Sequence, residues 1–177
     1  MSSRSPARTS ATDARRAAGR PLSTEHGLTA GDCPAVDGVL GENIAYHIAL
    51  AAAATNRQFA HHIGEPLALR PVEYSLLMLL SAHGALAPKQ LARALALAPP
   101  SLTMLLDRLG ERGLIERARN QADRRSRQVS LTRQGHALAR SAEQRTPALN
   151  ATIDGVLSAG ARLLLLELLR KVAQHGR

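Results

Sequence analysis

Hydrophobic residues recur at helical spacing through most of the chain beyond residue 39. Across residues 40–63 they lie on one helical stripe, and Gly64 and Pro66 are expected to end this long first helix. The same period predicts a second helix over residues 72–83, which Gly84 closes. Glycine and proline are therefore expected to mark the ends of the helices in this part of the chain.

Further helices are predicted in close succession after Gly84. A third covers residues 89–97, and the Pro99-Pro100 pair stops it and begins a fourth helix that continues through Arg112. Gly113 is expected to cap the fourth helix at its carboxyl end. Short helices in such tight succession are typical of a helix-turn-helix.

The fourth helix has one apolar face and one polar face. Its leucines recur at the i, i+3, i+4, i+7 spacing of a buried face: Leu102, Leu105, Leu106 and Leu109. The other side chains are expected to face outward: Ser101, Thr103, Met104, Asp107, Arg108 and Glu111. An exposed polar helix of this kind fits the major groove of duplex DNA.

The hydrophobic period changes after Gly113. Residues 114–119 and 128–131 have the short, extended pattern of strands, and the segment between them is polar and charged. This pattern predicts a two-stranded hairpin tipped with Arg124, Arg125 and Arg127. Arginines on such a tip can enter the minor groove of DNA, where the negative potential is enhanced.

Helical spacing returns beyond Thr132, although Pro147 could break it, and a last helix is predicted over residues 153–174. The leucines of this last helix cover more of its circumference than one stripe would. An apolar face that wide needs two partners, so we expect a subunit interface. The interface residues expected on this helix are Leu164, Leu165, Leu168 and Leu169.

Together these patterns predict a mainly α, winged helix-turn-helix fold. It has a small two-stranded β-hairpin wing and a subunit interface on its last helix. Residues 1–38 are expected to be a disordered basic tail, because they lack a sustained apolar period. The folded domain is expected to span residues 39–177, with a DNA-binding lobe at 68–134.

The net charge of +9 favours an anionic partner such as nucleic acid. The excess lies mainly in residues 85–135, where ten Lys and Arg stand against four Asp and Glu. A solvated basic face would give the same count, so the pattern of helices and hairpin carries the DNA-binding interpretation.

Several classes of protein do not fit the sequence. No apolar run reaches the roughly 18 residues of a membrane span, so no membrane partner is expected. Cys33 is the only cysteine, which precludes an intrachain disulfide and fits a reducing cytoplasm. The sequence has no phosphate-binding glycine loop, Gly-x-Ser-x-Gly elbow or His-Glu-x-x-His helix. We therefore predict no catalytic residue, no cofactor and no metal site.

Ordered blocks of the sequence resemble the MarR family of transcriptional regulators, named for multiple antibiotic resistance. They are SLTMLLDRL at 101–109, GLIER at 113–117, DRRS at 123–126 and LTRQG at 131–135. The resemblance covers about residues 40–175. It implies a recognition helix at 101–112, a wing at 114–132 and an obligate dimer built from the first and last helices. The helical dimerisation region would be formed by these N- and C-terminal helices, at 40–63 and 136–175, with Leu40 and Ile44 also at the interface. It also implies binding to a pseudo-palindromic operator, with repression as the default outcome.

The resemblance also implies roles for single residues. Ser101 and Thr103 would meet bases or phosphates, Arg125 would reach into the minor groove, and Asp123 would brace the wing arginine. Many members carry Arg where this chain has Met104, so that base contact is absent or replaced by an apolar touch to a thymine methyl. The full set of expected DNA contacts is Lys89, Gln90, Ser101, Thr103, Met104, Arg108, Arg124, Arg125 and Arg127. Asp107 and Arg108 could instead pair with neighbours on the helix.

The aromatic residues of the chain fall in the first two predicted helices. Similar regulators often bind a small aromatic effector where those helices meet the DNA-binding lobe. The expected effector is an aromatic acid or its thioester, contacted by Tyr46, His47, Arg57, Tyr74 and Met78. Plain core packing is the alternative for each aromatic side chain.

Alternative functions remain open for the same fold. Cys33 could make the regulator redox-responsive, although it precedes Pro34 outside the predicted first helix. His61-His62-x-x-Glu65 could offer metal ligands, although such a cluster at a helix end is usually solvated. A non-specific architectural DNA-binding protein would share the basic wing without needing a dimer-spaced site.

Overall fold

The computed structural model describes residues 38–119 and 127–175. The chain divides into two units, Met1–Glu42 and Asn43–Arg177. In the first unit the described residues form a 3₁₀ turn, Gly38–Leu40, closed by a 3.0 Å hydrogen bond from the Gly41 amide to the Gly38 carbonyl. The expected tail at residues 1–38 lies outside the described residues apart from its last one. The helices and strands named below belong to the second unit.

Helix α1, Ile44–Phe59, begins later than the apolar stripe predicted. Its start is fixed by Asn43, whose side-chain oxygen accepts a hydrogen bond from the Tyr46 amide at 3.1 Å. Asparagine is favoured at this position because it satisfies an amide that has no partner inside the helix. The cap, rather than the hydrophobic pattern, sets the boundary.

The prediction that Gly64 and Pro66 end the first helix is wrong. The chain continues through a π-helical turn, Ala60–Gly64, into the short helix α2, Glu65–Leu67. Gly64 keeps helical angles, and Pro66 lies in the first turn of α2, where its missing amide is tolerated. The helical path ends instead at Ala68, whose φ of 49° is left-handed.

The next helices form the helix-turn-helix. Helix α3, Pro71–His83, matches the predicted second helix, and Gly84 follows it with a φ of 72°. Helix α4, Pro88–Ala94, is shorter than predicted because Ala96 adopts a φ of 52° and turns the chain.

Helix α5, Pro99–Glu111, ends as predicted at Gly113, which has a φ of 66°. The Gly113 amide donates to the Gly110 carbonyl at 2.8 Å, and the Leu114 amide donates to Leu109 at 3.0 Å. This pair of bonds is the Schellman arrangement, which needs a residue that accepts a left-handed conformation. Glycine meets that need without a steric penalty.

A single hydrophobic core joins these helices to the hairpin. Strand β1, Ile115–Arg119, pairs antiparallel with β2, Arg127–Leu131, and Ile115 faces Leu131 across the pair. A further bridge ties β2 to the segment before α4. The Leu86 amide donates to the Val129 carbonyl at 3.0 Å, and the Val129 amide returns a bond at 2.8 Å. The buried core includes Ile63, Leu76, Leu77, Leu80, Leu91, Leu109, Leu114, Val129, Ala139 and Ala142.

Helix α6, Arg133–Asp154, explains the LTRQG block. Thr132 caps the helix by accepting from the Gly135 amide at 3.0 Å, and its hydroxyl donates to the Gly113 carbonyl at 2.6 Å. A β-carbon at Gly135 would lie 2.0 Å from the Leu114 carbonyl oxygen, so only glycine allows α6 to approach the hairpin this closely. Pro147 lies inside α6 without ending it.

The last helix begins later than predicted. Helix α7 is Ala159–His175, and Ile153 belongs to α6. Ser158 sets the start of α7, because its hydroxyl oxygen accepts from the Ala161 amide at 3.2 Å. None of the residues of α7 is buried, and its leucines are between 36% and 66% exposed. Among the described residues, no helix is long and apolar enough to cross a membrane.

Candidate nucleic-acid interface

Helix α5 has the two faces that the sequence predicts. Leu102, Leu105, Leu106 and Leu109 are buried, while Ser101, Thr103, Met104, Asp107 and Glu111 are exposed. The Thr103 hydroxyl donates to the Pro99 carbonyl at 3.1 Å, which leaves its oxygen free to accept. Met104 is 67% exposed, in contrast to the leucines of the same helix.

The expectation that Arg108 faces outward is only partly met. Its Nη1 donates to Oε1 of Glu73 in α3 at 3.2 Å, and its side chain is 37% exposed. Arg112 donates to the other carboxylate oxygen at 3.3 Å. The side chain lies against α3 because Glu73, at 2% exposure, needs a charged partner. Arg108 therefore pairs with another helix rather than with a neighbour on its own.

Glu73 is a functional candidate that the hydrophobic pattern did not single out. Its carboxylate also accepts from the Arg70 amide at 2.9 Å, so it caps α3 as well as binding both arginines. The available signal was a lone acid among the apolar side chains of the predicted second helix. An acid in that setting needs cationic partners within the core.

Lys89 and Gln90 are both exposed at the start of α4, as a DNA-contacting role requires. The Gln90 side-chain oxygen accepts from the Ala87 amide at 2.8 Å, so Gln90 also caps the helix. Between α4, α5 and the hairpin lies a groove of about 440 Å³. Its lining is Pro88, Lys89, Ala92, Pro99, Leu102, Thr103, Leu106, Arg117 and Val129.

The hairpin is joined to α5 by an ion pair. Nη2 of Arg117 in β1 lies 2.6 Å from Oδ1 of Asp107. Asp107 therefore pairs with a residue of strand β1. The alternative prediction, that it pairs with a neighbour on its own helix, is not met. The expected roles of Asp123, Arg124 and Arg125 fall on residues outside the described ones. For Arg127 the structure describes the backbone, which belongs to β2, and not the side chain.

A cleft of about 260 Å³ lies between α1, α3 and α6. The ring of Tyr74 packs edge-on against Phe59 with centroids 5.6 Å apart. The Tyr74 hydroxyl lies 2.9 Å from Oγ1 of Thr146, whose own hydroxyl donates to Ala142, so the tyrosine is the donor. The cleft is lined by Thr55, Asn56, Phe59, Pro71, Tyr74, Ser75, Leu149, Asn150 and Ile153.

Of the expected effector contacts, the structure places only Tyr74 in this cleft. Tyr46 and His47 lie near the start of α1, with their rings 5.5 Å apart. Arg57 is exposed on α1 and does not line the cleft, and Met78 packs against the core. The polar side chains that line the cleft are neutral: the amides of Asn56 and Asn150 and the hydroxyls of Thr55, Tyr74 and Ser75. The hydrophobic and aromatic patterns did not indicate the two asparagines.

The possible metal ligands are not grouped. The His61 and His62 rings are 4.8 Å apart, but within residues 38–119 and 127–175 no three His, Cys, Asp or Glu side chains could hold a metal ion together. Cys33, the possible redox sensor, lies outside the described residues.

Comparison with known proteins shows which family has this architecture. The sequence pattern of the MarR family matches residues 69–126. The HTH-type transcriptional regulator YwhA of Bacillus subtilis (strain 168) is 31% identical over 102 residues, which are 56% of this chain and 71% of YwhA.

Solved structures of DNA complexes also match. The transcriptional repressor CouR bound to a 23-mer DNA duplex is 31% identical, with a TM-score of 0.69 over 77% of this chain and 96% of CouR. A mutant of Escherichia coli MarR, complexed with operator DNA, is 26% identical, with a TM-score of 0.68 over 77% of this chain and 99% of that one. Such a fold is that of transcriptional regulators rather than enzymes. The chain belongs to the MarR family of DNA-binding, winged helix-turn-helix transcriptional regulators.

Proposed function

We propose that this protein is a homodimeric repressor that binds a pseudo-palindromic operator and is released by a small aromatic effector. The observation that carries the proposal is the joint placement of α5 and the hairpin on one rigid base. The Leu86–Val129 bridge ties the hairpin to the segment before α4, the Asp107–Arg117 pair ties it to α5, and Leu109 and Val129 belong to the same buried core. A helix and a wing held together can enter neighbouring grooves of one duplex.

The proposed dimer rests on the apolar surface of α1 and α7. Leu163, Leu164, Leu168 and Val172 are each at least 48% exposed, and Ile44 on α1 is 68% exposed. An isolated chain would hold these side chains in water, whereas a second copy would bury them. Leu40, also expected at the interface, is 48% exposed. Pairing two chains would present two copies of α5 to half-sites about one helical turn, roughly 34 Å, apart.

Sequence selectivity is the decisive test. A duplex selected by the protein from a randomised pool should bind more tightly than a scrambled duplex of equal length and composition. We expect a ratio of at least about 10³, as for other specific DNA-binding proteins. Equal affinities would contradict the proposal and favour a non-specific architectural protein.

The proposed effector site is the cleft that Tyr74 lines. Its aromatic walls, Phe59 and Tyr74, suit a small ring, and its volume of about 260 Å³ suits a small ligand. The amides of Asn56 and Asn150 could bind a carboxylate or a thioester carbonyl. Such a ligand would release DNA only by binding more tightly to a dimer whose α5 helices are wrongly spaced.

A further inference from the structure

The two arginines at the carboxyl end of α5 are paired with a carboxylate of a neighbouring helix. Within Pro99–Glu111, all of which the structure describes, Arg108 is the only Lys or Arg. Arg112 follows as the residue that caps the helix. Both guanidinium groups donate to the same carboxylate, that of Glu73, at 3.2 and 3.3 Å.

Glu73 is well placed to bind both arginine side chains. At 2% exposure its charge is almost fully removed from water, so it gains more from a cationic partner than a surface acid would. The Arg70 amide fixes the carboxylate in position by a third hydrogen bond at 2.9 Å. The arginine side chains are 37% and 32% exposed, so they could turn toward solvent or DNA if that charge were removed.

The outward face of α5 consequently presents no unpaired cation of its own, and the Arg117 guanidinium beside it is paired with Asp107. The exposed side chains of this face are those of Ser101, Thr103, Met104, Asp107 and Glu111, beside Pro99 and Pro100. Hydroxyl and thioether groups can contact base edges, but they are uncharged and neutralise no phosphate. Arginines on the same face would add affinity for any duplex.

We propose that Glu73 is a specificity-determining residue, which withholds Arg108 and Arg112 from the DNA so that α5 reads bases through Ser101, Thr103 and Met104. This inference rests on the proposed function, and it makes Arg108 a partner of Glu73 instead of a DNA contact. Glu73 is a positioning residue, because it acts on DNA through the arginines it binds.

Glu73→Gln tests the inference, with Glu111→Gln as its matched control. Each change removes one negative charge per chain, but Glu111 is exposed and takes part in none of the ion pairs found among the described residues. Affinities for a selected duplex and a scrambled duplex are measured across a salt series for both variants and for the unchanged protein. Melting curves confirm that each variant is folded.

We expect Glu73→Gln to bind the scrambled duplex more tightly and with a steeper salt dependence. The ratio of selected to scrambled affinity should fall by about tenfold, because freed arginines bind phosphates of any sequence. Glu111→Gln should strengthen both affinities alike and keep the ratio. An unchanged ratio in Glu73→Gln, or an equal loss of both affinities, would overturn the inference.

If Glu73→Gln does not fold, Arg108→Gln provides the test instead. In that variant Arg112 still pairs with the buried Glu73 carboxylate. We expect the slope of log affinity against log salt to stay unchanged. A slope shallower by about 0.9 for each phosphate that is no longer neutralised would overturn the inference.

If the unchanged protein fails to discriminate between the two duplexes, the proposed function itself fails. If it discriminates and Glu73→Gln does so equally well, only the inference fails.

Discussion

Gly135 faces the Leu114 carbonyl so closely that a β-carbon would stand 2.0 Å from the carbonyl oxygen. The neighbouring Thr132 binds Gly113 on one side and the Gly135 amide on the other. These contacts fasten the start of α6 to the end of α5 and the first strand. A glycine and a threonine thus connect the proposed dimerisation region to the proposed DNA-binding lobe.

Gly135→Ala should strongly destabilise the fold. The new methyl group meets backbone that cannot rotate away, so α6 must shift and leave its packing. We expect the free energy of unfolding to fall by about 3 kcal/mol. Gly110→Ala is the control, since a β-carbon there meets nothing within 4 Å. It should stabilise α5 by up to about 1 kcal/mol. Urea unfolding at fixed protein concentration measures both, and a similar effect in the two variants would contradict the prediction.

Ala96→Gly should stabilise the protein. Ala96 has a φ of 52°, where a β-carbon is strained and glycine is not. We expect a gain of up to about 1 kcal/mol after subtracting the entropy that glycine loses on folding. Ala94→Gly, at the last position of α4, should instead destabilise the protein by up to about 1 kcal/mol. If thermal unfolding shows that both substitutions change the stability in the same direction, the proposed strain at Ala96 is contradicted.

Leu165→Asp should dissociate the proposed dimer. The side chain is 40% exposed in the single chain, and pairing would bury it, so a carboxylate there would lose its hydration. Light scattering should give the mass of one chain, and operator binding should weaken because the half-sites are no longer bound together. Gln174→Asp adds the same charge near the end of α7 and should leave the mass unchanged. A dimeric Leu165→Asp would refute this interface.

Arg125→Ala should weaken binding to the selected duplex by about 1 to 3 kcal/mol without altering the oligomeric state. The expectation comes from the basic sequence of the wing, because Arg125 lies outside the described residues. Arg145→Ala removes an exposed cation of α6 and serves as the charge-matched control. Gel-shift titration in one buffer compares them, and equal losses would mean that net charge, not the wing, is responsible.

Thr55→Trp should block the proposed effector site. The new ring would fill part of the cleft of about 260 Å³. A ligand found by screening small aromatic acids and their thioesters should raise the melting temperature of the unchanged protein, because ligand binding favours the folded state. That rise should vanish in Thr55→Trp and persist in Arg57→Ala, since Arg57 does not line the cleft. A rise that persists in Thr55→Trp would place the effector elsewhere.

Local patterns predicted most of the fold. The leucine spacing of α5 and the glycine after it indicated a helix whose buried and exposed faces the structure confirms. The alternation around Val129 likewise indicated the hairpin. The ends of the helices were harder to predict. Asn43 and Ser158 start helices through single hydrogen bonds, and these bonds do not depend on the spacing of apolar residues. Pro66 misled the prediction because the effect of proline depends on its position within a turn.

Contacts between distant segments explain what the sequence could not indicate. Arg108 and Glu73 are 35 positions apart, and nothing local marks them as partners. The same is true of Tyr74 and Thr146, which are separated by 72 positions. Arg57 was grouped with Tyr74 because both lie in the first two predicted helices, whereas the lining of a cleft depends on which face each helix turns toward its neighbours.

The paired hydrogen bonds between Leu86 and Val129 make the hairpin base an extension of the turn that precedes α4. The base of the wing therefore cannot swing independently of that turn without breaking two backbone bonds inside the core. In the proposed dimer, a change of half-site spacing would then move α4, α5 and the wing base together, because the Asp107–Arg117 pair also ties β1 to α5. The proposed effector would have to reorient each DNA-binding lobe as one piece.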